Sequence, residues 1–235
     1  MKAGICYYTD NQLDEPLYSI VQGFILESGL PITSASLRPI TFGDNEVIDA
    51  KRSYPTMLKQ IISCLERSEA DYVYMAEHDI LYNKSCFSFI PPRDNIFYYN
   101  ENNLRWIFGA EKAISYDRMI PLSCMCANRL FALDHFKRRM DFIIEKGFDL
   151  ESGCNAGWVR KMGFEPGTKK RKRGGFSDND FEVWRSEHPA IDIRHKGTFS
   201  PPKCTIESFT HKPLTWSEIA IEEIPNWDLK KLFNL

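Results

Sequence analysis

Tyr72, Val73, Tyr74, Met75 and Ala76 form an unbroken aromatic, β-branched and apolar run that stops at Glu77-His78-Asp79. Such a run reads as a strand buried on both faces of a parallel sheet. Ligands in open α/β sheets bind at the carboxyl ends of the strands, which is where these acids fall. Residues two apart in extended chain point the same way, so Glu77 and Asp79 aim both carboxylates into one crevice. Paired carboxylates suit a hard divalent cation, Mn²⁺ or Mg²⁺, whose shell is completed by water and substrate phosphate oxygens. The plainer alternative is a pair of solvated acids at a strand end.

The elements that must position these acids are legible as a pattern. Ala3 to Tyr8 reads as a strand, Thr9 to Pro16 as a polar loop. Leu17, Ile20, Val21, Phe24 and Ile25 then recur at the spacing of one helix face, which Gly29 ends. Pro31 to Leu37 reads as a second strand, and Leu58, Ile61, Ile62 and Leu65 mark a helix leading into the Tyr72 strand. This alternation predicts an α/β fold: a single Rossmann-like domain with a wound, mainly parallel central sheet and helices on both faces. Lys51 and Arg52, just before the second helix, are either solvated or placed to meet a diphosphate. Beyond Tyr82 the pattern is mixed. It predicts a strand at Asn95 to Tyr99, hairpin material at Trp106 to Tyr116, and a long strand or strand pair at Leu122 to Leu133. A helix with Phe136, Met140, Ile143 and Ile144 on one face follows, then an alternation at Ile191 and Ile193. Residues 1–200 read as the catalytic domain and 201–235 as a C-terminal helical tail packed on it.

With 235 residues, 43% hydrophobic and 26% charged, the chain has the composition of one soluble globular domain. No stretch reaches the roughly 18 apolar residues of a membrane span, and the N-terminus lacks the apolar core of a signal peptide, so a cytoplasmic location is expected. Seven cysteines without a Cys-x-x-Cys pair argue against a disulfide framework and a structural zinc site; Cys124 and Cys126 are read as core. A net charge of −2 predicts no strong global attraction to nucleic acid. The local exception is Lys169-Lys170-Arg171-Lys172-Arg173, which is a solvated loop, a phosphate or nucleic-acid contact, or a targeting signal.

The Glu77-x-Asp79 element resembles the Asp-x-Asp element of the GT-A glycosyltransferases, and Gly174-Gly175-Phe176 followed by acids resembles a later stretch of the inverting members. The resemblance runs by pattern from residue 3 to about 200 and implies a GT-A-like domain. It implies a divalent metal held by Asp79 first and Glu77 second on the diphosphate of a nucleotide sugar, with His195 as third ligand. By the same resemblance Arg194 and Lys196 meet the diphosphate, and Thr9 and Asp10 the nucleoside. A carboxylate, Asp180 first, Asp178 second, with Glu182 also a candidate, acts as general base on the acceptor hydroxyl; here the spacing is shorter than the family's, which leaves the inverting stereochemistry open.

The expected function is a metal-dependent transfer of sugar from a nucleoside diphosphate sugar to an acceptor hydroxyl. The basic run, at Lys169 to Arg173, makes a hydroxymethylated base in DNA the acceptor to name first, as in phage-type DNA-base glycosyltransferases; glycan or lipid-linked acceptors stand as the alternative. A nucleotidyltransferase and a non-catalytic binding module for nucleotide sugar or nucleic acid are the other classes. The first is disfavoured because Thr9 to Pro16 contains no glycine to shape a phosphate loop.

Overall fold

The computed structural model of the chain describes residues 1–117, 119–145, 147, 181–198, 204–210 and 212–235. In chain order the elements are β1 (Ala3–Thr9), α1 (Leu17–Leu26), β2 (Ile32–Ser36), β3 (Asp44–Val47), α2 (Tyr54–Arg67), β4 (Tyr72–Glu77) and β5 (Ile80–Leu81). Then come β6 (Phe97–Asn100), β7 (Asn103–Ile107), β8 (Lys112–Tyr116), β9 (Met125–Asn128), α3 (Arg129–Glu145), β10 (Phe181–Trp184), β11 (Ala190–Arg194), β12 (Trp216–Ala220) and α4 (Leu229–Phe233).

Among the described residues, seven strands form a sheet in the order β10-β6-β9-β4-β1-β2-β3, and five form a second in the order β12-β8-β7-β11-β5. The larger sheet is parallel except at β9, which runs antiparallel to both β4 and β6. The wound, mainly parallel α/β fold expected from the alternation is therefore the observed one. Strand β4 divides its side chains with a period of two. Tyr72, Tyr74 and Ala76 pack with α1 and the smaller sheet, while Val73 and Met75 pack with α2 and α3 on the opposite face.

Helix α2 begins where Ser53 Oγ accepts from Thr56 N at 3.2 Å, with Pro55 in the first turn, where a missing N–H costs nothing. Its buried Leu58, Ile61, Cys64 and Leu65 seat it on the sheet. Together β1, β4 and α2 set the frame for the site.

Several local expectations are corrected. Leu122 to Leu133 is not a strand pair: a short 3-10 turn, the four residues of β9 and the start of α3 divide it, because helix propensity takes over once Arg129 leaves the sheet. Ile144 is 56% exposed, off the edge of the stripe of α3 that buries Phe136 and Ile143. The 201–235 tail is not simply helical, since Trp216 to Ala220 pairs antiparallel with β8. Strand β3 was not anticipated; its polar Asp44-Asn45-Glu46-Val47 occupies a sheet edge, where burial imposes no apolar pattern. Both Cys124 and Cys126 are buried in the same apolar cluster. Among the described residues no helix is long and apolar enough to cross a membrane.

Candidate functional site

Two strand registers build the site. Tyr8 of β1 lies beside Glu77 of β4, so the loop that carries Asp10 ends next to the turn that carries His78 and Asp79. After that turn, β5 pairs antiparallel with β11, Ile80 against Asp192 and Leu81 against Ile191, and Ile193 N donates to the Asp79 carbonyl at 2.8 Å. The chain leaving β11 thus delivers His195 to Asp79, Nε2 to Oδ2 at 3.7 Å. His78, Asp79 and His195 each offer a ligand atom, all within 4.8 Å of one another.

The donor set fits a divalent cation. Asp79 Oδ1 and His195 Nε2 are buried and have no hydrogen-bond partner among the described residues. Buried polar atoms are nearly always paired, and a cation between these two would satisfy both. Burial raises the Asp79 pKa, but His195, His78 and Arg194 outweigh it and hold the carboxyl below the usual range, ready to ligate. Gly197 N donates to His195 Nδ1 at 3.2 Å, which leaves the neutral ring's proton on Nε2, facing Asp79. A ring that held a cation through Nε2 would carry its proton on Nδ1, at the expense of the Gly197 bond.

Glu77 takes a different place. Its Oε1 accepts from the Tyr8 hydroxyl at 2.6 Å, and it stands outside the three-residue group. Burial, then the neighbouring Asp79 charge, pushes its pKa up to about 8. His78 was the residue sequence reasoning missed. Alternation puts it on the opposite face from Asp79, but both lie in the turn between β4 and β5, where a period of two no longer applies.

A cavity of about 280 Å³ adjoins the group and is lined by Thr9, Asp10, Glu77, His78, Asp79 and Arg194, among others. Asp10 accepts from Arg52 Nε and lies 3.5 Å from His78 Nε2, while Arg52 Nη2 donates to the Gly197 carbonyl at 2.6 Å. Arg52 therefore ties the loop after β1 to the turn after His195. Gly197 tolerates this closeness because it has no side chain: a Cβ there would sit 2.6 Å from the Gln12 carbonyl oxygen and 3.0 Å from His195 Cε1.

Buried Asp192 is a further site residue, and the sequence carries a signal for it: an acid between Ile191 and Ile193 faces away from the apolar cluster those two join. Its Oδ2 accepts from Arg105 Nε at 3.0 Å and from Arg194 Nη2 at 2.6 Å, fixing Arg194 beside Asp79 and Glu77. Among the remaining candidates, Lys196 is at the surface, 2.9 Å from Asp14, and Lys51 is exposed. Glu182 is exposed on β10, pairs with Arg93, and does not line the cavity. Asp178, Asp180 and the basic run Lys169 to Arg173 lie outside the described residues.

No protein-family model matches the sequence, and no curated protein matches it. Among solved structures, the chain is similar to a glycosyltransferase involved in the glycosylation of the major capsid of PBCV-1. The TM-score is 0.45 at 9% identity, over 79% of this chain and 82% of that one. It is also similar to a Drosophila β1,4-galactosyltransferase 7 mutant in complex with manganese, UDP-Gal and xylobiose. There the TM-score is 0.34 at 11% identity, over 64% of each chain. At such similarity neither identifies what this chain does.

Proposed function

We propose that the chain is a divalent-metal-dependent glycosyltransferase that moves a sugar from a nucleoside diphosphate sugar to an acceptor hydroxyl. The observation that carries the reading is the buried group of His78, Asp79 and His195 at the carboxyl end of β4, with two polar atoms lacking partners among the described residues. Bound there, a divalent cation supplies Lewis-acid neutralisation of the diphosphate leaving group, worth several kcal/mol at the transition state. Two imidazoles and one carboxylate favour Mn²⁺ over Mg²⁺, which prefers an all-oxygen shell.

Arg194, held by Asp192, adds a fixed positive charge beside the same group. Thr9 and Asp10, lining the cavity, are assigned to the nucleoside. Glu77, the second carboxylate proposed for the metal, would have to leave the Tyr8 hydroxyl to reach it, and Lys196 would have to leave Asp14 to reach a diphosphate. Asp180, or Asp178 after it, is assigned as the base. It takes the acceptor's proton as the acceptor oxygen bonds to the anomeric carbon and the bond from that carbon to the diphosphate breaks. A hydroxymethylated DNA base as acceptor rests on the Lys169 to Arg173 run alone.

The test is a thermal-shift screen of nucleoside diphosphate sugars with and without Mn²⁺. Ligand at 100 times its Kd stabilises by about 2.7 kcal/mol, which at this chain length raises Tm by about 5–10 °C. The shift should require Mn²⁺ and vanish in Asp79→Ala, His195→Ala and His78→Ala. Full metal-dependent shifts in any of the three remove that residue from the site, and shifts without turnover on any acceptor leave a binding module.

A further inference from the structure

A second cleft, of about 440 Å³, lies next to the first, and Ile120 lines both. It opens between the ends of β6 and β10 on one side and the β7-β8 hairpin on the other. Its size falls in the range of roughly 300–1,000 Å³ typical of small-molecule sites.

The chemistry of its walls narrows what it can take. The charged residues among its described lining are Glu101 and Asp117 against Arg185, an acidic balance. A groove for nucleic acid or polyphosphate is instead basic along its length. What this cleft presents is neutral hydrogen bonding. Asn102 and Asn103 contribute amides, and Ser115, Tyr116 and Thr215 contribute hydroxyls.

Asn103 is oriented from behind. Its Nδ2 donates to the carbonyls of Asn100 and Met119, both at 3.0 Å, and the residue is 3% exposed. Its Oδ1 is buried with no hydrogen-bond partner among the described residues. An acceptor fixed in place without a donor costs about 1–3 kcal/mol, which a hydroxyl from outside would recover.

Tyr116, which lines the cleft, belongs to an aromatic cluster behind it. Tyr116 and its cross-strand neighbour Trp216 have ring planes 9° apart with centroids 6.0 Å apart, and Phe209 meets the Tyr116 ring edge-on at 4.9 Å. Sugar rings present C–H groups on their faces and hydroxyls on their edges, and Leu104, Met119, Ile120 and Val183 supply an apolar wall beside the amides and hydroxyls. A continuous hydrogen-bonded chain links the two clefts: Arg105 Nη1 donates to the hydroxyl of Tyr116 in the second at 2.9 Å, and Arg105 Nε to Asp192, which holds Arg194 in the first.

We propose that this second cleft is the acceptor subsite and that it takes a neutral oligosaccharide, whose terminal unit passes Ile120 to reach the metal-side cavity. The proposal rests on the transferase reading above and chooses the glycan acceptor over DNA.

The test uses the full chain and needs no donor. Saturation-transfer NMR is run with neutral tri- to hexasaccharides of the xylo, cello, manno and chito series, and with a single-stranded DNA 12-mer. Val183 lines the cleft and is 47% exposed, so Val183→Trp fills the cleft without entering the core. Arg185→Ala is a second variant, removing a side chain that bonds Glu101 and Asn102 at the rim. At least one oligosaccharide should bind the parent, and Val183→Trp should weaken it at least about tenfold, with metal-dependent nucleotide-sugar binding unchanged in both variants. No oligosaccharide binding, binding that neither variant alters, or DNA binding that Val183→Trp abolishes overturns the proposal. Oligosaccharide bound in the cleft of a protein that binds no nucleotide sugar would remove the role of acceptor subsite through failure of the transferase reading, which separates the two.

Discussion

Replacing Asp192 by Asn removes the negative charge that two largely buried guanidiniums share while keeping the side chain's shape. Side-chain exposure is 4% for Asp192, 12% for Arg105 and 14% for Arg194, so water screens little of the repulsion left behind. Deleting one partner of a buried ion pair costs about 3–5 kcal/mol, because the surviving charge stays desolvated and unpaired. The Asn oxygen still accepts one of the two N–H groups and Asp79 still lies beside Arg194, which puts the expected loss near the lower end, about 3 kcal/mol. For a chain of this length that lowers Tm by about 6–12 °C, and shifts the urea midpoint by about 1 M for a slope near 3 kcal/mol/M. Urea unfolding followed by tryptophan fluorescence reads both the midpoint and the slope. Adding Arg105→Met to Asp192→Asn should recover part of the loss, since it removes one of the uncompensated charges. A midpoint within about 0.2 M of the parent, or a double variant worse than the sum of the singles, would refute the account of Asp192 as the charge that holds Arg194 in place.

Three further outcomes follow from the same geometry. His135, 1% exposed between Phe97 and Phe136, has its pKa brought down to about 2 by burial first and then by Arg139 and Arg138. Its folded pKa lies below the unfolded value of about 6.5, so the unfolded state binds the extra proton and stability falls as pH drops below about 6.5. His135→Leu should therefore flatten the pH dependence by about 2 kcal/mol between pH 7 and pH 5; equal slopes in urea titrations of the two proteins would contradict this. Gly197→Ala places a Cβ against the Gln12 carbonyl and the His195 ring, so calorimetry should show at least about tenfold weaker Mn²⁺ binding, with parent-like affinity as the contrary result. Ser53→Ala removes the N-cap of α2 and should cost about 1 kcal/mol in chemical denaturation. A loss below about 0.3 kcal/mol would mean that the neighbouring Thr56 hydroxyl caps as well.

Residue types and local spacing determined more of this protein than its weak similarity to known structures suggests. The β4 run, the β1-loop-α1 unit and α2 are each readable because burial on a sheet or on one helix face imposes a period on neighbouring residues. The same reading named Asp79 from its place after that run, whereas His195 was named only through the resemblance to the GT-A enzymes. What it could not contain was their meeting. Asp79 and His195 face each other because two-residue β5 turns back to pair with β11, and a pairing between distant segments leaves no periodic trace in either one. His78 joins them because a turn, not a strand, follows Glu77, whose own carboxylate goes to Tyr8. Arg105, Asp192 and Arg194 form one buried charge cluster only because β7 and β11 lie side by side in register, Arg105 against Asp192. Electrostatic partners are chosen by distance in space, and only the tertiary structure sets that distance.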